Sequence, residues 1–359
     1  MTHEDSRLGF CCKFIPADGD AAEAKRMNIT MVTMAYLGRL GPGAAYDKVA
    51  AVVAHNLEAV RRQIEWVAGR PRPERLLRLA SQILPGYTHP VARDFYRDGD
   101  LRSLIETSLA EAGQRAREAE IRLSMHPGQF CVLSTLSESA LKNAIEEVEY
   151  HTEIMAMLGY AGGWHPHGAH INIHGGARAP GVKGFRVGLS KVSAAARDLL
   201  TVENDETSYG LDDLLPLTDT LPIVLDLHHH WIASRGEYIE PDDPRIARIV
   251  ESWREVRPLS HISVSREDLL VDHDPDVRPD FATLMGAGIT AKDLRAHSDM
   301  MWNGPVNDLV GRHLAWSDFE IEAKFKNLAS EGIAAHVAGQ AVPARAGLIL
   351  PPDLRDAAE

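Results

Sequence analysis

An eight-stranded α/β barrel is the fold class that this sequence predicts, and three observations predict it. Short apolar segments of strand length alternate with longer stretches of helical period, the pattern of βα units around a parallel sheet. Eight such segments occur: "RLGFCC", "LLRLAS", "IRLSMH", "AHINIH", "LLTVEN", "LPIVLD", "SHISVS" and "FEIEAK". A chain of 359 residues is also long enough for one closed (β/α)8 barrel, the TIM barrel, with one core in a single domain.

The elements follow in order. Between the first two strand segments, "YDKVAAVVAHNLEAVRRQIEWVAG" places Val49, Val52, Val53, Leu57, Val60, Ile64 and Val67 at helical spacing, an apolar stripe for packing on the barrel. Leu101 to Ala119 and Glu138 to Leu158 carry the same period. Pro244 occupies the first turn of "PRIARIVESWREV", a helix after the sixth strand. "DHDPDVRPDFATLMGAG", Asp272 to Gly288, has no clear period and reads as a long loop after strand seven. Residues 1–339 thus form the barrel domain, and the Ala- and Pro-rich stretch 340–359 a C-terminal tail.

Composition narrows the class. A hydrophobic content of 45% and a charged content of 25% suit a soluble globular protein, and no apolar run is long enough to span a bilayer. The start, "MTHEDSRLGF", lacks a basic segment followed by an apolar one, so the expected location is cytoplasmic, with no membrane association and no obligatory protein partner. Cys11, Cys12 and Cys131 form no CxxC pair and read as reduced thiols. The formal net charge of -13 opposes broad attraction to nucleic acid, unless carboxylates surround bound cations that the formal count omits.

In a TIM barrel the strand C-termini carry the chemistry. Here they end on His126, His174, Glu203 and Asp226, with His261 in strand seven and Glu322 near the end of strand eight. Closing the barrel brings these side chains together, and the Pro-Gly turn of "SMHPGQF" lets the chain leave strand three abruptly while His126 faces the mouth. Imidazoles and carboxylates without thiolate suit Zn²⁺, Mn²⁺ or Fe²⁺. Six ligands exceed the needs of one tetrahedral ion, so a cluster of two or three divalent metals is expected, of the kind that clamps the oxygens of a phosphoryl displacement. His228, His229 and His230 in "LDLHHH", His89 in "YTHP" and His297 in "AHSDMMW" join the same face. His55 and His151 lie within helical patterns, and His165 and His167 precede strand four at the opposite face. His3, His273 and His313 offer no signal, and the glycines of "HGGA" read as room for close backbone approach.

With "RLSMHPGQF", "NIHGGA", "LTVENDE", "VLDLHHH", "SHIS", "AHSD" and "FEIEAK" in this order, the sequence from about Arg7 to Asn327 resembles the UV damage endonuclease family. The resemblance implies a TIM barrel with a metal site similar to that of endonuclease IV, acting on double-stranded DNA containing photolesions. The implied reaction is a cut 5′ to the lesion that leaves 3′-hydroxyl and 5′-phosphate ends. It further implies that His126, His174 and Glu203 hold one metal, that Glu203 bridges to a second held by Asp226, His261 and Glu322, and that His229 and His297 hold a third with His89 nearby. His228 and His230 are the substitutes for His229, and Glu203, His126, His174, Asp226 and Glu322 are the implied catalytic set. Mn²⁺ is the ion the resemblance suggests first; the ligand types leave Zn²⁺ open.

Lesion recognition by nucleotide flipping would use Gln129 and Phe130, although Phe130 also reads as a loop aromatic packed under the rim. Two departures stand out: Phe130 where relatives often have tyrosine, and Leu259-Ser260 before His261 where some have lysine. Phosphate contacts are expected from Lys324, with Lys326, Arg78 and the stretch "GRPRPERLLR" as further candidates. The rival readings are a divalent-metal sugar isomerase or epimerase on a similar barrel, and a DNA-damage binding protein without catalysis.

Overall fold

The computed structural model describes residues 5–161, 167–270 and 272–342. Eight strands form a closed barrel in sequential order: β1 (Leu8–Cys11), β2 (Leu76–Leu79), β3 (Arg122–Met125), β4 (His170–His174), β5 (Leu200–Glu203), β6 (Ile223–Asp226), β7 (Leu259–Ile262) and β8 (Asp318–Ile321). All eight predicted segments contain their strand or overlap it. Every pairing is parallel, and the ring closes where Leu8 of β1 pairs with Phe319 and Phe10 with Ile321. All strand C-termini therefore emerge at one rim.

The principal outer helices are α1 (Pro42–Ala68), α2 (Gly99–Glu118), α3 (Glu138–Met157), α4 (Gly181–Leu189), α5 (Leu227–Ala233), α6 (Pro244–Ser252), α7 (Gly304–His313) and α8 (Lys326–Val337). All seven apolar residues of the predicted α1 stripe are buried against the barrel, where they remove hydrocarbon from water on one face of the helix. Asp98 caps α2 and Ser137 caps α3, each accepting a hydrogen bond from a backbone N–H of the first turn.

The lumen departs from the branched aliphatic filling common in this fold. Arg122 of β3 donates to Asp318 of β8 at 2.8 Å, and Ser124 donates to Glu320. These strands are not neighbours in the ladder, so the side chains meet across the barrel interior. At the strand N-termini Arg122 also donates to the Arg257 and Pro258 carbonyls and lies over the Trp253 ring, closing the barrel floor with a paired charge.

Two expectations are corrected. The region 272–288 is not wholly irregular: Asp280 caps a short helix, Phe281–Gly286, whose Phe281 and Leu284 join Trp231, Ile232, Leu270 and Leu294 in a second apolar cluster. Its six residues are too few for a helical period to show. His151, expected at the surface or the edge of the core, is fully buried, as is His313, which bridges the Ile239 carbonyl and the Trp316 indole N–H. His3, His165 and the tail from 343 onward lie outside the described residues.

Candidate metal centre

Six predicted ligands come together where the strands end. His126 and His174 stand with ring centroids 5.0 Å apart, His126 and His261 6.1 Å, His174 and His229 5.9 Å, and His229 and His297 6.3 Å. Two sets of potential donor atoms lie within 4.8 Å of one another: His126, His174 and Glu203, and Glu203, Asp226 and His261. Glu203 belongs to both, which places the one carboxylate predicted to bridge between two ion positions.

Neighbouring backbone orients each ring. His126 Nδ1 is 3.0 Å from the Pro127 carbonyl, an obligate acceptor, so Nδ1 carries hydrogen and Nε2 faces Glu203 Oε2 at 3.1 Å. The turn after β3 that allows this is also tied down, because Ser81 donates to the His126 carbonyl. His229 repeats the device: Nδ1 donates to the Asn204 carbonyl at 3.1 Å and leaves Nε2 for the site. Asn204 also exchanges backbone hydrogen bonds with Asp226, locking the end of β5 to the end of β6. Asp226 caps α5 through Oδ1, which accepts from the His229 N–H at 2.6 Å and so sets the three-residue spacing between these two ligands. Asn172, itself held by Thr201, donates to Glu203 Oε2 at 2.5 Å.

The donor set fits divalent cations. An unprotonated imidazole nitrogen directed at a carboxylate oxygen sets two lone pairs against each other, and a cation between them relieves it. Asp226 Oδ2 and His174 Nδ1 are buried without a hydrogen-bond partner, as expected for ligand atoms. Electrostatics agree. Burial pushes Asp226 up to about 6, with Glu203 and Glu322 adding to the rise. Burial opposes ionisation of Glu203, yet His261, His174 and His126 hold it well below the usual carboxylate range. Burial also lowers the rings of His174 and His297 to about 4, keeping them neutral and able to coordinate. His229 is pushed up to about 9: Asp226, Glu203 and Glu206 outweigh its burial. Metal binding there must displace a proton.

The remaining candidates divide. His228 stacks on Trp231 and His230 pairs with Glu237 at 2.9 Å, so His229 alone of the triplet faces the cluster. His89 is exposed and its Nδ1 accepts from the Val91 N–H; the structure does not bring it into the ligand groups. Gln129 is exposed and Phe130 is 86% exposed, so the ring projects from the rim and is not packed beneath it. Lys324 donates to Asp299 at 3.1 Å. Arg78, a candidate for phosphate, lies inside the barrel and donates to Glu322 at 2.5 Å. The arginines of "GRPRPERLLR" pair with Glu74, Glu120 and Asp5 at the strand N-termini, the face opposite the site. The Gly-Gly reading holds: a Cβ on Gly175 would approach the Tyr209 ring to 2.6 Å.

Sequence reasoning missed Glu320. It is fully buried one layer below the cluster, accepts from Ser124, lies 3.5 Å from Arg78, and brings Oε2 within 3.1 Å of His261 Nε2, off the ring's N–H direction. Glu206 was also missed: its Oε2 lies 3.7 Å from His229 Nε2, and its other oxygen pairs with Arg295. The signal for Glu320 was the two-residue period of polar residues on β3, β4 and β8, which marks one face of each strand.

Fold and site together define an α/β-barrel protein whose strand ends assemble a multi-ligand centre suited to divalent cations. Residues 6–337 match the model of the UV-endonuclease UvdE family, and the chain belongs to that family. It is similar to the UV DNA damage endonuclease of Bacillus velezensis, 26% identical over 322 residues covering 86% of this chain and 87% of the relative. It is likewise similar to that of Bacillus cereus, 27% identical over 321 residues, with 86% and 88% covered. The crystal structure of SacUVDE superposes with a TM-score of 0.69 at 19% identity, covering 93% of this chain and 97% of that one, and shows the same fold. The protein is an endonuclease. Among the described residues no helix is long and apolar enough to cross a membrane.

Proposed function

We propose that this endonuclease hydrolyses the phosphodiester 5′ to UV photolesions in duplex DNA and leaves 3′-hydroxyl and 5′-phosphate ends. One observation carries the reading: the strand ends converge two sets of ligand atoms that share Glu203. His126, His174 and Glu203 would hold one divalent ion; Glu203, Asp226, His261 and Glu322 a second; His229 and His297 a third, with Mn²⁺ the first candidate. When bound, such ions supply Lewis acidity toward the scissile phosphate and the attacking water.

The chain's own residues do the rest. The carbonyls of Pro127 and Asn204 hold the His126 and His229 rings so that Nε2 points into the site. Asn172 fixes the shared carboxylate of Glu203. Phe130 stands free at the rim, where it can fill the gap left by flipped nucleotides, and a cross-linked dimer that already stacks poorly costs less to extrude. A binding protein without chemistry would be expected to lack ligands, whereas both ligand groups are complete. The test is incubation of purified protein with irradiated and unirradiated supercoiled plasmid, with Mn²⁺ or with chelator. Nicking that requires both lesion and metal is the expected result; equal nicking of both plasmids, or nicking indifferent to chelator, overturns the reading.

A further inference from the structure

Lys326 occupies a position that costs free energy on three counts. It opens the 12-residue α8 with φ at 48°, in the left-handed region that disfavours a side chain. It is only 4% exposed, and among the described residues no carboxylate lies within ion-pair distance of its ammonium. It sits at the positive end of a helix, where a cation is unfavourable. The other cations at the mouth are matched: Lys324 by Asp299, Arg78 by Glu322 and Arg295 by Glu206. Burial of the lysine stem is ordinary packing, but an ammonium left without an anion is not explained by it.

Its surroundings belong to the site. The turn between β8 and α8 is sewn to the segment after His297: the Lys324 N–H donates to the Ser298 carbonyl and the Phe325 N–H to the Asp299 carbonyl, both at 3.0 Å. After burial, the ammonium is among the charges that hold the His297 ring toward its neutral form. The turn that carries Lys326 starts from Glu322, another ligand of the proposed cluster.

We propose that Lys326 is a phosphate-binding residue which, together with the N-terminus of α8, takes a backbone phosphodiester of the bound duplex; this rests on the endonuclease reading above. An anion from outside satisfies the buried charge and the helix end at once. Lys324, more exposed and held by Asp299, is then a structural surface pair.

The test is equilibrium binding of the full chain, kept in chelator so that strands stay intact, to a UV-irradiated duplex across a series of salt concentrations. Inorganic phosphate serves as a second probe, and the wild type is compared with Lys326→Met and Lys326→Arg. Lys326→Met is expected to lose roughly tenfold in affinity and to lower the slope of log K against log salt by about one, while Lys326→Arg keeps the slope. Its melting temperature should equal or exceed that of the wild type, because an unpaired buried charge is gone. Unchanged affinity and slope overturn the proposal, and so does a lowered melting temperature, which would make the ammonium part of the fold. If the wild type shows no preference for the irradiated duplex, the endonuclease reading fails instead, and Lys326 is judged on phosphate alone. Phosphate binding that Lys326→Met abolishes then upholds the anion site; binding it leaves unchanged, or none in the wild type, overturns it.

Discussion

His261 illustrates how a single ring is made into a ligand. Its Nδ1 lies 3.0 Å from Glu203 and 3.3 Å from Glu322, while Nε2 meets Glu320 at 3.1 Å from below, so both edges of a fully buried imidazole face carboxylates. The lower carboxylate fixes which nitrogen faces the cluster and raises its basicity. Glu320→Gln keeps the shape and removes the charge. It should weaken divalent-metal affinity by roughly 10- to 100-fold while the circular dichroism spectrum is unchanged. At the rim the logic differs. Phe130 is 86% exposed and supports nothing in the fold, so Phe130→Ala should leave thermal stability alone. The same change should weaken binding to irradiated duplex by about 1–3 kcal/mol, the scale of base stacking on an aromatic ring, as read by fluorescence anisotropy.

At the scale of elements, the strands carry two messages at different depths. Their apolar character and their spacing along the chain were legible, and so were the ligands, because His126, His174, Glu203 and Asp226 each stand at a strand's end or one residue beyond it. The lower layer was harder to read. Arg122, Asp318 and Glu320 find partners on strands that are not ladder neighbours, and nothing local in the sequence says which charges meet across a lumen. The fate of the rim cations was hidden for the same reason: Lys324, exposed in a linear reading, is claimed by Asp299, and Arg78 by Glu322. Loops also impose packing demands. Gly175 admits the Tyr209 ring, whose hydroxyl reaches Ser134 and the Ala177 carbonyl. Gly175→Ala must push that ring away and should cost about 1–3 kcal/mol in chemical denaturation.

For the whole molecule, buried neutral histidines outside the ligand set tie stability to pH. Burial lowers His151 and His313 to about 4 and His170 to about 3, against about 6.5 in an unfolded chain. Below that value the unfolded state binds more protons than the folded one, so stability is fully present above about pH 6.5 and falls as pH drops toward 4. Each group contributes roughly 1.4 kcal/mol per unit of separation. Urea unfolding midpoints should therefore decline between about pH 6.5 and 4, and His151→Gln should flatten that decline. A midpoint independent of pH over this range would contradict the burial of these rings.

The central claim is that residues from separate strands jointly grip more than one divalent ion through a shared carboxylate. Titration of the metal-free chain with Mn²⁺, followed by electron paramagnetic resonance of the free ion, tests this most directly in the wild type and in Glu203→Gln. The account predicts at least two tightly held ions per wild-type chain and a loss of binding at both Glu203-dependent positions in the variant. A wild type that holds no ion tightly, or a Glu203→Gln protein that binds as the wild type does, would contradict it.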